Sequence, residues 1–379
     1  MANLLNNPSM LAAESLSHLE AQLVIASSSA RDKTADFMQR PNGYAIGSTV
    51  NIKTYGEYEA KEFVTTVDTQ DIRNSTRPIT IEKHFDVSVA IGAKELAMNF
   101  DGFSEEVLKP AMATLAEKID TYMGTKILQG AGLYVSSALF ESAGDMALAR
   151  KAATLQRLRM GRICLVDMDL EATILGQTVF NQAQTGGRDA ETRLREGYMG
   201  RLMGMDFLSS IGFPTEAHTA GDFVGTTNNT GTTNLLGLST LTVDAIGVDM
   251  DVKVGDRLKI AGVNRPLIVK TAAATGATAI ALVDPIAEII PDGAAVTVVG
   301  SGQTFSYKGV IMDDKCLAIA MPMLEKPSDK PSAIVTSNGF SLRLVRGYDM
   351  NTKKEALSID CLVGGAAFDP RRMTLLADA

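Results

Sequence analysis

Three histidines, three cysteines and two pairs of closely spaced aspartates are the side chains of this 379-residue sequence that offer chemistry beyond packing. An imidazole titrates near neutral pH and can act as acid, base or metal ligand. His18, His84 and His218 fall in three unrelated segments, and His18 stands beside polar Ser17, so an exposed surface histidine is the expected reading for each. Asp167-Met168-Asp169 and Asp249-Met250-Asp251 set carboxylates two residues apart, a spacing that serves a metal in some nucleotide enzymes. Asp169 precedes a helical pattern and Asp251 a strand pattern, so capping and turn formation account for both. Cys164, Cys316 and Cys361 each lie in an apolar run and form no CxxC pair. They are expected to be reduced, buried and small, not disulfide partners or ligands. A P-loop, GxSxG, HExxH and a calcium loop are all missing from the sequence, and Gly300-Ser301-Gly302 is too short for a dinucleotide fingerprint. No catalytic, cofactor-binding or metal residue is assigned, and the chain is expected not to be an enzyme.

The composition agrees. About 45% of residues are hydrophobic and the formal charge is −8, which suits a fully folded chain without the clustered Lys and Arg of a sequence-independent DNA-binding surface. Trp is absent and aromatic residues are few, against a sugar-binding or base-stacking surface. The basic pairs Lys353-Lys354 and Arg371-Arg372 have no interleaved aromatics and read as turn and subunit-contact charges. Met1-Ala2-Asn3-Leu4 lacks a basic signal-peptide region, and no apolar run is long enough to cross a bilayer, so a cytoplasm-like compartment is expected.

The elements that would carry any function follow from periodicity. Residues 1–40 read as a helical arm, with Leu11, Ala12, Leu16, Leu19, Leu23 and Ala26 at helical spacing and Ser9 as N-cap. That narrow stripe must dock on its own body or on a neighbour. Residues 41–92 read as an extended hairpin: Thr49–Lys53 alternates, then Ile79–Glu82 and Phe85–Val89, around a charged stretch. An isolated hairpin is marginal in water, so its charged stretch needs a surface, and Glu57, Glu59, Lys61, Glu62, Arg73 and Arg77 are the candidate intersubunit contacts. The rival is a lid over a pocket.

Residues 103–129 carry a single apolar stripe from Val107 to Ile127, a helix on the order of 40 Å long. Pro110 either falls in its first regular turn or kinks it. Residues 145–218 read as mixed α/β: a helix Met146–Arg159, a buried strand Arg162–Val166, a helix capped by Asp169, a short helix near Ala190–Glu196, then the segments Arg201 to Ser210 and Ile211-Gly212-Phe213-Pro214. Residues 219–302 read as a small all-β barrel, with strands near Leu241–Ile246, Arg257–Ala261, Pro266–Thr271, Ala279–Val283 and Ala295–Val299. Residues 303–338 return to the previous unit, and 339–379 form a closing hairpin of Phe340–Val345 and Leu357–Val363.

This order of segments resembles the HK97-like fold of tailed-phage major capsid proteins. It is most similar to the coat proteins of short-tailed lambdoid phages, which carry an inserted β-barrel. Leu108-Lys109-Pro110-Ala111 with Leu115-Ala116-Glu117-Lys118-Ile119-Asp120 resembles the spine helix. Gly200-Arg201-Leu202-Met203-Gly204-Met205-Asp206 and Pro214 resemble the segment before the insertion, and Val254 to Val263 a phrase of the barrel. Val345-Arg346-Gly347-Tyr348-Asp349 with Ile359 to Gly365 resembles the closing hairpin.

The resemblance implies an α+β capsid fold: an N-terminal arm (1–40), an extended loop (41–92), a peripheral domain with the spine helix (93–144) and closing hairpin (339–379), and an axial domain (145–218, 303–338) interrupted by the barrel (219–302). It implies self-assembly into hexamers and pentamers of an icosahedral head, with a separate scaffolding protein and a portal protein as partners. Double-stranded DNA would be enclosed without sequence-specific binding, with no membrane, in a virion assembled in the host cytoplasm. Some fold relatives cross-link a loop lysine to a neighbour's asparagine. Lys53 and Lys61 lie in the corresponding segment, but the insertion-bearing branch does without that chemistry. Two rival classes stay open: a non-viral compartment shell of the same fold, and an enzyme with the hairpin as lid.

Overall fold

In a computed structural model the described residues are 8–31, 46–53, 76–91, 100–136, 142–155, 158, 161–181, 195–197, 199–215, 217–229, 234–235, 237–263, 266–286, 288–328, 330–349, 354–369 and 372–378. They form a mixed helix-and-strand fold built on two large sheets and a smaller ring of strands.

Helix α1 spans Pro8–Gln22. It starts one residue before Ser9, which therefore lies inside the first turn instead of capping it. The stripe read from the sequence is buried: Leu11, Ala12, Leu16, Leu19, Leu23 and Ala26 are all nearly inaccessible. It packs on the long helix and on the strands Ser332–Ser337 and Phe340–Asp349, so this part of the arm belongs to the chain's own main core. Residues 32–45 lie outside the described set.

The long helix α2, Lys109–Gly130, follows a helical turn at Phe100–Phe103 and a π-helical turn at Ser104–Leu108. Pro110 thus occupies the first regular turn, where a missing N–H is no loss. The wider π turn ahead of it removes the clash that a proline makes inside a regular helix. Leu108, Ala111, Met112, Leu115, Ile119, Met123 and Ile127 are buried, and Ala131 takes an extended conformation that ends the helix.

The first sheet runs β1 (Thr49–Lys53), β2 (Thr76–Ile91), β18 (Lys354–Ala367), β17 (Phe340–Asp349), β16 (Ser332–Ser337), with β15 (Leu317–Ala320) also on β18. The hairpin read over 41–92 finds part of its supporting surface in its own chain. β2 pairs antiparallel with β18 from Ile91 to Ile81. β1 pairs with β2 from Thr49↔Thr80 to Lys53↔Thr76. The residues between, 54–75, lie outside the described set.

The second sheet runs β3 (Leu133–Ser136), β19 (Met373–Asp378), β14 (Thr304–Met312), β4 (Arg162–Val166), β6 (Met205–Ser209), β5 (Arg201–Leu202), with β7 (Ala217–Thr219) on β14. β4 and β6 are parallel. Between them α4 (Met168–Gly176) is capped by Asp167, whose Oδ1 accepts the Met168 N–H at 2.6 Å; Asp169 sits inside the first turn. The helix before β4, α3, spans Ala143–Leu155; it begins three residues ahead of the expected start. The expected helix near Ala190–Glu196 falls mostly outside the described residues.

Between β7 and β14 lie six short strands: β8 (Val224–Thr226), β9 (Thr240–Thr242), β10 (Arg257–Ile260), β11 (Leu267–Ile268), β12 (Ala279–Ala281) and β13 (Ala295–Val298). The order β11-β10-β13-β8 forms one sheet and β12-β9 another. Single bridges Thr227↔Val243 and Val269↔Leu282 join them at both sides, so the pairings close into a ring around Leu241, Val243, Leu258, Ile260, Ile280 and Val296. The incoming strand β7 and outgoing strand β14 pair with each other, Thr219↔Thr304 to Ala217↔Ser306. No helix among the described residues is long and apolar enough to cross a membrane.

Candidate functional site

Of the six residues singled out on the hairpin, Glu57, Glu59, Lys61, Glu62 and Arg73 lie outside the described set. Arg77 is described, and it has partners in its own chain: the carbonyl of Ala367 and the carboxylate of Asp284. It stands at the root of the hairpin, where Ile52, Ile79 and Ile81 pack with Ala318, Ala320, Leu362 and Phe368 into a separate small core.

Below that root, the first sheet carries a network of polar side chains across β2, β18 and β17. Arg343 grips Asp360 with two nitrogens, Nε at 3.0 Å from Oδ1, and His84 Nε2 is 2.9 Å from Asp360 Oδ2. Ser358 donates to Asp86, and Arg346 Nε donates to Glu355 at 2.6 Å. These strands pair Arg343↔Asp360↔Asp86 in register.

His84 is exposed, as expected, while the other two histidines are half-buried. His218 Nε2 meets Asp256 Oδ1 at 2.9 Å, between the Tyr307 and Phe305 rings. His18 Nε2 lies 2.8 Å from Ser104 Oγ and 3.3 Å from Glu14 Oε1. The last group contains serine, histidine and a carboxylate, but both oxygens address the same imidazole nitrogen. A relay needs the acid on one nitrogen and the nucleophile on the other, and Ser104 is buried. Ser104, Asp360 and Asp256 stand 86, 276 and 38 residues from His18, His84 and His218, so neighbouring residues could not reveal these contacts.

The three cysteines are free and buried, and burial pushes each thiol well above its ordinary range. A reactive thiolate needs the opposite environment. Among the described residues no group of His, Cys, Asp and Glu could hold a metal. A recess of about 670 Å³ is lined by Ser27–Arg31, Asp314, Lys315, Asn338 and Phe368, the last of which also packs in the hairpin-root core. Arg372 of the second basic pair is engaged inside the chain with Asp313 and Asp369.

Two buried polar residues that sequence reasoning passed over hold the parts together. Asp120, on α2, accepts the backbone N–H of Val24 (2.9 Å) and Ile25 (3.2 Å) on Oδ2 and of Ala26 (3.0 Å) on Oδ1. Burial raises its carboxyl above the ordinary value, and the N–H donors of Ala26, Val24 and Ile25 and the hydroxyl of Ser210 pull the other way. One turn later, Gly124 lies against the Ser210–Pro214 segment: a Cβ there would stand 2.5 Å from Pro214 Cδ and 2.9 Å from Gly212 O. Arg257, at the start of β10 and nearly inaccessible, donates to Ala131 O (3.0 Å), Leu128 O (3.3 Å) and Tyr307 Oη (3.0 Å). It thus satisfies carbonyls at the negative end of the long helix and ties the ring to it. Arg257→Met is expected to lower subunit stability by about 2–4 kcal/mol, read as a shift in the urea midpoint; an unchanged midpoint would remove this anchor.

No protein-family model matches the sequence, and no curated protein matches it. In fold, a solved structure described as Mycobacterium phage Che8 is similar over 94% of this chain and 91% of that one, with 11% identity and a TM-score of 0.51. A capsid structure of the Cyanophage P-SCSP1u is similar over 88% and 83%, with 12% identity and a TM-score of 0.42. A virus-like particle from Pyrococcus furiosus covers 97% of each chain at 10% identity and a TM-score of 0.41. The first comparison establishes a shared fold along nearly the whole chain; the other two, under 0.5, add no argument.

Proposed function

We propose that this chain is the major capsid protein of a tailed double-stranded DNA phage, of the HK97-like fold with an inserted β-barrel. The observation that carries the reading is the fold shared with the Mycobacterium phage Che8 structure over 94% of the chain. The ordered segments of the sequence support it, and so does a hairpin whose root is fixed in a sheet while residues 54–75 carry five of the six candidate contact charges. In this reading the closed ring of β8–β13 is the inserted barrel, and the subunit assembles with copies of itself into hexamers and pentamers. A scaffolding protein and a portal protein complete the head, and the acidic wall encloses DNA without gripping it.

The physics of such a shell asks for many weak contacts. Closed rings on a curved lattice are built from heterologous contacts, and each exposed charge pair contributes at most about 1 kcal/mol. Weak terms repeated over a shell make it stable while single misplacements stay reversible. Glu57, Glu59, Lys61, Glu62 and Arg73 are proposed as the intersubunit charges; Arg77 is engaged within the chain. Reversing Glu57, Glu59 and Glu62 to lysine together is expected to leave a folded, soluble subunit that forms no closed particles in negative-stain electron microscopy. Normal shells from that variant would refute the assignment. Wild-type protein co-expressed with its scaffolding partner is expected to give uniform icosahedral particles; small oligomers alone would overturn the capsid reading.

A further inference from the structure

At the hairpin root the support for β2 changes. From Ile91 to Ile81 the strand is hydrogen-bonded to β18. The register breaks between Val363 and Gly364, and from Thr80 to Thr76 the described partner of β2 is β1. Arg77 sits in this last stretch, opposite Ile52. Its guanidinium donates to the Ala367 carbonyl at the end of β18 and pairs with Asp284. Asp284 belongs to the ring, just after β12. The two side chains are only 15% and 14% exposed, so water and salt screen the pair weakly, and either charge without the other would be costly to keep buried.

We infer that Asp284 is a positioning residue for the hairpin. Through Arg77 the ring sets the direction in which the 53/76 end leaves the sheet, and so which surface of a neighbouring subunit it meets. The three isoleucines of the root give it stiffness, and the ion pair adds a tie from the root to the ring. The pin stands on the geometry of one chain; its consequence for assembly rests on the capsid reading.

Hydrogen exchange on the soluble subunit tests the pin. Asp284→Asn is expected to speed exchange at the root amides, such as Ile81 N–H to Ser48 O and those of β1, by about tenfold, on the order of one lost partly buried ion pair. Amides inside the ring should not change. The charge swap Arg77→Asp with Asp284→Arg should restore slow exchange. Root amides as slow in Asp284→Asn as in wild type, or a folded swap as fast as the single variant, would overturn the pin; if the swap does not fold, Asp284→Asn alone decides. In electron microscopy, Asp284→Asn should give open or mixed-size shells where wild type gives uniform ones. Faster exchange with uniform shells would overturn the assembly role. If wild type itself forms no shells, the capsid reading fails while the exchange result still decides the pin.

Discussion

Asp120→Ala will cost the folded subunit about 3–5 kcal/mol, seen as a large drop in the urea midpoint or as recovery only in inclusion bodies. The reason lies in the turn after α1. Three consecutive backbone N–H groups at Val24, Ile25 and Ala26 converge on this one carboxylate, and alanine would leave them buried without it. The same group gives a pH dependence of known sign. Its native carboxyl is raised, chiefly by burial, above an unfolded value of about 3.9. The native state therefore holds the proton more tightly, and this group's contribution to stability is fully present below the unfolded value and is lost as pH rises through the native one. Asp120→Asn removes that slope. A midpoint in Asp120→Ala within error of wild type would show that the turn is held by packing alone.

Gly124→Ala will destabilise the subunit by about 1–3 kcal/mol, although alanine in a helix interior normally stabilises by about 0.5–1 kcal/mol. The reversal of sign is the test. The added methyl would fall 2.5 Å from Pro214 Cδ and 2.9 Å from Gly212 O, and Gly212 itself has no room, with Asp120 Cβ 2.6 Å from its own Cβ position. Asp120 and Gly124 stand one turn apart on α2, so one face of the helix serves both the arm and the 210–214 segment. Gly176, at the end of α4, has nothing within 4 Å of its Cβ position, and Gly176→Ala is expected to be neutral or stabilising. Equal effects at the two sites would deny the close packing. Gly124→Val should fail more severely than Gly124→Ala, because a branched side chain cannot tuck its second methyl away from Pro214.

Elements whose residues carry their own period were legible. The stripe of α2, the apolar run of β4 and the alternation of β17 and β18 lie where the residue pattern puts them. β14 was missed for a physical reason. Thr304 to Lys308 alternates, but Gly309 reads as a break, and Val310-Ile311-Met312 reads as a separate apolar fragment. In the sheet, Gly309 pairs with Val166 of β4, and a Cβ there would stand 2.7 Å from Leu165 O. β8 was hidden because three residues, Val224-Gly225-Thr226, beside a Thr, Asn and Gly run are too few to show a hydrophobic period; its pairing to β13 defines it. Asp120 and Arg257 were inside the segments that resemble the capsid family, yet their roles were invisible. Asp120's three backbone donors are 94 to 96 residues away, and Arg257 reaches 126 residues back to Ala131. Local reading finds elements; the anchors between them are set by topology.

The pairing of β7 with β14 bears on how such a chain can change in evolution. Thr219 and Thr304 are 85 residues apart in sequence but face each other across two strands, at the roughly 5 Å spacing of antiparallel neighbours. To the seven-stranded sheet, everything between them is a single hairpin loop, and the entropy of closing a loop grows only with the logarithm of its length. The sheet would accept a tight turn at this place as readily as a folded ring. Size can be gained or lost there without altering any other strand register, and what ties the present occupant to its host is a shared apolar core together with polar contacts, Arg257 and Asp284 among them.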